Sequence, residues 1–164
     1  MNVIVQEMDE CDWDAVAEIY KQGIATGHAT FQQDVPSWQD WDASHLETCR
    51  LVAKIANEVV GWAALTPVSD RCVYAGVAEV SVYVSAHHRG KNIGLQLLDA
   101  LISLSEQHKL WTLQAGIFPE NTGSIHLHEK SGFRKIGYRE KIGKMNGAWR
   151  DTWQFERRSK IAGR

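Results

Sequence analysis

Residues 79–108 constrain the fold more than any other part of this 164-residue chain. Residues 79–84 (Glu-Val-Ser-Val-Tyr-Val) alternate in polarity, which predicts a β-strand with its three valines on one face. A polar, glycine-containing loop follows over 87–94, and leucines and isoleucines then recur at helical spacing over 95–108. The succession predicts a strand that passes through a polar loop directly into an amphipathic helix.

Strands and helices are also predicted on both sides of this unit. Before it, the patterns predict a strand at 3–5, helices over 12–24 and from 37 towards 49, and paired strands at 51–53 and 59–65. After it, they predict a strand at 112–118, a helix over 121–131, and strands at 133–142 and 148–155 joined by Asn146-Gly147. Hairpins mixed with crossover helices indicate an α+β (mixed α/β) fold, with a mostly antiparallel central sheet flanked by helices.

The chain shows no repeat or linker, so we expect one domain over 1–164, with 157–164 as a loose basic tail. Its apolar share of 44% and charged share of 23% are those of ordinary globular proteins. A net charge of -2 gives no reason to expect a nucleic-acid partner. No apolar run reaches the roughly 20 residues of a membrane helix, so no membrane partner is expected.

The N-terminal residues lack the basic start and long apolar stretch of a signal peptide. The three cysteines are odd in number and scattered along the chain, as is typical of reduced thiols. Both observations predict a cytoplasmic protein. The seven histidines do not combine with cysteines or carboxylates at zinc-binding spacing, so no metal is expected.

The loop 89–94 (Arg-Gly-Lys-Asn-Ile-Gly) carries the sharpest functional signal. Its glycines allow a ligand close to the main chain, and the helix that follows presents free N–H groups and two neighbouring cations to a phosphate. A polar turn with surface charges explains the same residues equally well. The loop matches neither the Walker pattern nor the dinucleotide fingerprint, so a phosphate site here would take another phosphorylated ligand.

Two signatures then give the chain a resemblance to a known family. Residues 82–85 (Val-Tyr-Val-Ser) with the loop 89–94 look like the acetyl-CoA signature of the GNAT superfamily of N-acetyltransferases, Arg/Gln-x-x-Gly-x-Gly/Ala, carried here by Arg89, Asn92 and Gly94. Residues 121–133 (Asn-Thr-Gly-Ser-Ile-His-Leu-His-Glu-Lys-Ser-Gly-Phe) are similar to the second signature of that superfamily. The resemblance implies the GNAT-like acyl-CoA N-acyltransferase fold.

More narrowly, the chain resembles the phosphinothricin acetyltransferase branch of that superfamily. The matching segments are 29–31 (Ala-Thr-Phe), 78–85 and 146–151 (Asn-Gly-Ala-Trp-Arg-Asp). Two positions depart from the usual signatures. Asn92 replaces a glycine, although asparagine tolerates a positive φ better than other side chains. His128 replaces the tyrosine of much of the superfamily, and histidine here also occurs in the phosphinothricin branch.

The resemblance implies acetyl-CoA as the acetyl donor. Its pantetheine arm would lie along the strand 82–84 as an added strand, with its pyrophosphate on the loop 89–94, and the N–H near Val82 would face the thioester oxygen. The residues implied in donor binding are Val82, Tyr83, Val84, Arg89, Gly90, Lys91, Asn92, Ile93, Gly94 and Asn121.

Glu79 and His128 are the candidates for proton transfer. Glu79 is the first candidate for the general base that deprotonates an amine, although periodicity alone favours an exposed carboxylate at a strand end. His128 can act as a base or can return a proton to the leaving thiolate, since the ordinary pKa of histidine is about 6.5. A histidine packed on a helix face near Phe133 is the structural alternative.

The acceptor should be the primary amine of a small molecule, and the resemblance suggests an amino-acid analogue such as phosphinothricin, methionine sulfone or methionine sulfoximine. Candidate acceptor-binding residues are Thr30, Phe31, Arg71, Tyr74 and Trp149. Among them, Arg71 is expected to bind a carboxylate. Alternatives are another amine (a polyamine, an aminoglycoside or a protein N-terminus) and a non-catalytic acyl-CoA-binding module. The family resemblance also implies a homodimer.

Overall fold

The computed structural model describes residues 2–164 and contains one seven-stranded sheet with helices on both faces. In chain order the elements are β1 (Val3–Glu7), α1 (Trp13–Ala25), α2 (Trp38–Ser44), β2 (Leu51–Ile55), β3 (Glu58–Pro67), β4 (Val77–Val84), α3 (Ile93–Gln107), β5 (Thr112–Ile117), α4 (Thr122–Lys130), β6 (Arg134–Met145) and β7 (Ala148–Arg158). The strand order is β1-β2-β3-β4-β5-β7-β6, and only β4 and β5 run parallel. The predicted α+β class is confirmed.

The helix α3 covers one face of the sheet with the apolar stripe that the sequence predicts. Leu97, Leu98 and Leu101 are completely buried there against the strands. Burying each such side chain stabilises the fold by roughly 1.5–3 kcal/mol. Ser105 is also buried on this face. Its hydroxyl donates a hydrogen bond of 2.6 Å to the carbonyl oxygen of Ile102, which satisfies the buried polar group.

Aromatic side chains form the core on the opposite face, beneath α1 and α2. Trp41 and Trp62 are buried there and pack edge to face, with ring centroids 5.7 Å apart. Trp62 also stacks on Tyr83 of β4, with centroids 4.9 Å apart and planes inclined by 9°. The aromatic core therefore fixes the ring of a residue that the sequence assigns to donor binding.

Two of the differences from the predicted boundaries are informative. The helix α2 begins with the predicted cap, the Ser37 hydroxyl accepting from the Asp40 N–H, but it ends at Ser44 instead of continuing towards residue 49. At the other end of the chain, the segment expected to be a loose tail makes defined contacts. The strand β7 includes Arg157 and Arg158, and the Ser159 hydroxyl donates to the Glu106 carboxylate at 2.6 Å.

The connections that shape the sheet follow ordinary turn chemistry. Asn146 and Gly147 join β6 to β7 with φ values of 52° and 80°, the left-handed conformation that a two-residue hairpin turn requires.

The longest helix of the described residues 2–164 is α3 with 15 residues, and none of their helices combines the length and apolarity needed to span a bilayer.

Candidate active site

A cleft opens where the parallel strands β4 and β5 separate. The two strands pair only between residues 77–79 and 112–114, so beyond Glu79 the edge of β4 that faces β5 has no strand partner. A cavity of about 990 Å³ lies between residues 80–84 on one side and 115–118 on the other. Main-chain N–H and C=O groups along such an edge can pair with an extended ligand, as in β-strand addition.

The predicted phosphate loop lies at one end of this cleft. Gly90 and Asn92 adopt φ values of 78° and 61°, so asparagine takes the left-handed conformation that its substitution for glycine requires. No side chain caps the N-terminus of α3, which leaves its first N–H groups free for an anion. Arg89 lines both the cleft and an adjoining cavity of about 290 Å³, whereas Lys91 lines neither.

Glu79 lies at the point where β4 and β5 separate, and its side chain, exposed as the strand-end position predicts, lines the cleft. The surrounding protein raises the pKa of this carboxyl through desolvation, and the Arg139 guanidinium partly opposes that rise. A carboxylate with a raised pKa is a better proton acceptor than an ordinary surface glutamate.

His128 is buried in α4, with only 5% of its surface exposed, and it also lines the cleft. Its Nδ1 lies 2.7 Å from the main-chain oxygen of Ser124, and because a carbonyl only accepts, Nδ1 must carry the proton. The lone pair therefore resides on Nε2, which has no hydrogen-bond partner within residues 2–164. Burial lowers the pKa of His128, so the imidazole is neutral at pH 7 and can accept a proton.

The segment 27–31 forms part of the cleft wall. It is held in place by residues that are distant in sequence. The Asn121 side chain accepts from the Ser124 N–H at 3.2 Å, capping α4, and donates to the His28 carbonyl oxygen at 3.1 Å. Arg150 donates to the Gly27 carbonyl oxygen at 2.9 Å and to the Glu120 carboxylate at 3.1 Å. These bonds join three separate parts of the chain around the cleft.

An irregularity in β6 shapes the part of the cleft that Arg139, Ile142 and Gly143 line. Arg139 pairs with Thr152 and Gly143 with Arg150, so three residues of β6 oppose one residue of β7. Asp151 holds this bulge, since its carboxylate accepts from the Lys141 N–H at 2.7 Å and also from the Tyr138 hydroxyl.

The bulge brings two residues of β6 into contact with the cleft. Ile142 and Gly143 both line it. A Cβ added at Gly143 would lie 3.0 Å from the ring of Phe31, so the absence of a side chain lets this ring pack against the strand. Phe31 also packs edge to face on Phe118, with centroids 4.8 Å apart. Phe31, Phe118 and Ile142 therefore form an apolar surface in this part of the cleft, which the charged side chain of Arg139 also lines.

Most of the residues that the sequence singles out lie together. The cleft is lined by Glu79, Val82, Tyr83, Val84, Arg89, Gly94, Asn121, His128, Thr30 and Phe31. Gly90, Asn92 and Ile93 line the adjoining cavity. Three candidate acceptor residues, Arg71, Tyr74 and Trp149, are absent from both linings. Arg71 instead lies over the Tyr74 ring at 5.7 Å, and Trp149 is 55% exposed.

Arg139, Arg150 and Glu120 also belong to this site but were not predicted. Nothing in the local sequence marks their side chains as functional, and only the folded structure brings them beside Glu79 or the segment 27–31. Arg150 lies inside the segment 146–151 that carries the family resemblance, which was the available signal. Among residues 2–164 no group of three or more His, Cys, Asp or Glu side chains could hold a metal ion.

Comparison with known proteins identifies the protein family of this chain. Residues 13–133 match the acetyltransferase (GNAT) family. The L-methionine sulfoximine/L-methionine sulfone acetyltransferase of Pseudomonas aeruginosa is 28% identical over 157 residues, which cover 92% of this chain and 91% of that protein. The phosphinothricin N-acetyltransferase of Streptomyces viridochromogenes is 29% identical over 158 residues, which cover 93% of this chain and 86% of that protein.

A solved structure agrees with both relatives. The GNAT superfamily phosphinothricin acetyltransferase from Sinorhizobium meliloti, in complex with acetyl-CoA, superimposes with a TM-score of 0.88 at 26% identity, covering 99% of this chain and 91% of that one. The family match spans the strand β4, the loop 89–94 and the helix α4, which together form the cleft. The chain therefore belongs to the GNAT acetyltransferase family and is an N-acetyltransferase similar to the phosphinothricin acetyltransferases.

Proposed function

We propose that this enzyme transfers the acetyl group of acetyl-CoA to the primary amine of an amino-acid analogue such as phosphinothricin, methionine sulfone or methionine sulfoximine. The observation that carries the proposal is the open edge of β4, which ends at Glu79 and shares one cleft with His128. The named activities of the relatives from Pseudomonas aeruginosa and Streptomyces viridochromogenes support this choice of acceptor.

The residues present fit acetyl-CoA. The main chain of 82–84 is free to pair with the amides of a pantetheine arm, and Arg89 with the N-terminus of α3 is free to bind phosphate. Asn121, which already caps α4, would contact the donor from its place in the cleft wall. When bound, acetyl-CoA supplies an activated acetyl thioester.

Glu79 is proposed to accept the proton that the acceptor must lose. A primary ammonium group loses one proton before it attacks and a second when the amide forms. One of these two protons returns to the leaving thiolate and the other goes to solvent. The raised pKa of the Glu79 carboxyl suits it to take the first proton, directly or through a water molecule.

His128 is proposed to transfer the second proton. Its Nδ1 is committed to the Ser124 carbonyl oxygen, which leaves the lone pair of Nε2 as the acceptor. Because the lowered pKa keeps the imidazole neutral at pH 7, His128 accepts a proton first and passes it to the thiolate afterwards.

We also propose a cytoplasmic homodimer. Val73, Tyr74 and Trp149 are large side chains with 65%, 46% and 55% of their surface exposed, and exposed apolar surface of this kind favours a protein partner. Since Arg71, Tyr74 and Trp149 lie outside the cleft linings of their own chain, a role for them in acceptor binding requires a second copy. Sedimentation of the purified protein at micromolar concentration tests the dimer.

The function is tested by measuring thiol release from acetyl-CoA with a panel of amines, with the acetylated product identified by mass spectrometry. We expect turnover with methionine sulfone, methionine sulfoximine or phosphinothricin. Turnover only with a polyamine, an aminoglycoside or a peptide N-terminus would contradict the proposed acceptor. Tight acetyl-CoA binding without turnover of any amine would instead indicate a non-catalytic acyl-CoA-binding module.

A further inference from the structure

Arg139 is a cation in the cleft wall that the structure leaves without a partner. Its side chain lines the cleft at the start of the β6 bulge. Within residues 2–164 its guanidinium forms no ion pair and no side-chain hydrogen bond. A guanidinium presents five donors in a planar fork that matches a carboxylate, so this group is available to bind an anion.

The other arginines near the cleft are differently placed. Arg150 is used by the Glu120 carboxylate and the Gly27 carbonyl oxygen. Arg89 belongs to the phosphate loop and also lines the adjoining cavity, which Arg139 does not. Arg71, the cation that the sequence favours for a carboxylate, lies outside the cleft and over the ring of Tyr74. The part of the cleft lined by the segment 28–31, residues 118–120 and the β6 bulge is called the acceptor end below. Within residues 2–164, Arg139 is therefore the free cation at this acceptor end.

Glu79 and Arg139 face the same space with opposite charges, yet no ion pair within 4.0 Å joins them. They are close enough for Arg139 to lower the pKa of the Glu79 carboxyl. A zwitterion could occupy such a gap, with its ammonium group towards the carboxylate and its carboxylate towards the guanidinium. This arrangement also presents the amine to the proposed proton acceptor.

We propose that Arg139 binds the carboxylate of an α-amino-acid acceptor, whose ammonium group meets Glu79. The inference rests on the proposed function and specifies the acceptor within it. The β6 bulge positions Arg139, since Asp151 holds the adjacent residues through the Lys141 N–H and the Tyr138 hydroxyl. Phe31 and Ile142, on the same side of the cleft, would contact the side chain of the amino acid.

The test compares methionine sulfone with 3-(methylsulfonyl)propan-1-amine, the same molecule without its carboxylate. The ratio of their kcat/KM values is measured for the wild type, Arg139→Gln, Arg139→Lys and Arg134→Gln, the last removing a cation of the same strand that pairs with Glu156 outside both cavity linings. Comparing ratios between variants cancels the different intrinsic reactivity of the two amines. We expect Arg139→Gln to lower the ratio by about 10- to 100-fold, since hydrogen bonds to charged groups are the strong ones. Arg139→Lys should restore part of the ratio, and Arg134→Gln should leave it unchanged.

An unchanged ratio in Arg139→Gln, or a ratio lowered equally in Arg134→Gln, would overturn the assignment. Thermal unfolding and the acetyl-CoA dissociation constant serve as controls for folding, because Arg139 is exposed and does not line the cavity beside the phosphate loop. Calorimetric titration of methionine sulfone into the CoA-bound protein measures carboxylate binding without turnover. A wild type that binds the amino acid through Arg139 but transfers no acetyl group would contradict the proposed function alone, and a wild type that does not bind it would contradict the inference.

Discussion

The two ends of the cleft are built in different ways. The donor end, where acetyl-CoA is proposed to bind, consists of one continuous stretch, the unpaired edge of β4 and the loop 89–94, and the groups that it offers are mainly those of the main chain. The acceptor end combines side chains from the segment 27–31, from residues 118–120 and from the β6 bulge. Its shape depends on contacts between residues more than 90 positions apart in sequence, such as Arg150 with Gly27.

This difference shows which substitutions each end tolerates. At the donor end, Asn92 replaces the usual glycine and still adopts the φ value of 61° that the loop needs. At the acceptor end, a Cβ on Gly143 would press against the Phe31 ring, and a shift in the β6–β7 register would move Arg139 and Ile142 together. Donor binding should therefore survive changes that alter acceptor choice.

The largest expected effect comes from Glu79→Gln, which removes the proposed proton acceptor. We expect kcat/KM for the acceptor to fall by about 10²- to 10⁴-fold, the usual contribution of a general base, with little change in acetyl-CoA affinity. Glu120→Gln is the matched control, since Glu120 also lines the cleft but pairs with Arg150. Initial rates of thiol release measure both variants, and an equal loss in the two would remove the special role of Glu79.

Arg89→Ala should come next and should affect only the donor end. Loss of a charged hydrogen-bond donor to phosphate should raise the KM for acetyl-CoA about 10- to 100-fold with kcat little changed. Lys91→Ala is the control, because Lys91 lies in the same loop but lines neither cavity. If Lys91→Ala raised the KM as much as Arg89→Ala, the loop would attract the donor phosphates through its total positive charge. The particular position of Arg89 would then not matter.

Asp151→Ala should perturb only the acceptor end. Without this carboxylate the Lys141 N–H and the Tyr138 hydroxyl lose their partner, so the bulge loosens and Arg139 is less well positioned. We expect the KM for the acceptor to rise about 3- to 10-fold, the value of one or two ordinary hydrogen bonds, at unchanged acetyl-CoA KM. Tyr138→Phe removes one of the two contacts and should have a smaller effect. A change confined to the acetyl-CoA KM would contradict the division between the two ends.

The smallest effect concerns pH. Arg139 lowers the pKa of Glu79, so Arg139→Gln should raise that pKa and move the acid limb of the kcat/KM profile to higher pH. The other titratable groups of the cleft are His28, Tyr83, Glu120 and His128. Burial raises the pKa of the Tyr83 phenol and lowers that of His128, which keeps both neutral near pH 7. A limb that moved to lower pH would contradict the proximity of Arg139 to Glu79.

The sequence predicted the secondary structure of the donor end well and the residues that line the acceptor end poorly, for a physical reason. Strand β4, the loop 89–94 and helix α3 are local structures, so periodicity and glycine chemistry along one stretch suffice to define them. The bulge of β6 depends on its pairing with β7, and the residues 140–142 show no pattern that would indicate it. Arg139 was therefore missed, and Arg71 was favoured for a carboxylate although it lies outside the cleft.

Hydrogen exchange of the main-chain amides, with and without each ligand, tests the division of the cleft most directly. Acetyl-CoA should protect amides within 80–84 and 89–94, because the open edge of β4 and the N-terminus of α3 gain hydrogen-bond partners, and it should leave 139–143 unchanged. Methionine sulfone added to the CoA-bound enzyme should then protect 139–143. Protection of 139–143 by acetyl-CoA alone, with none in 80–84, would contradict the account.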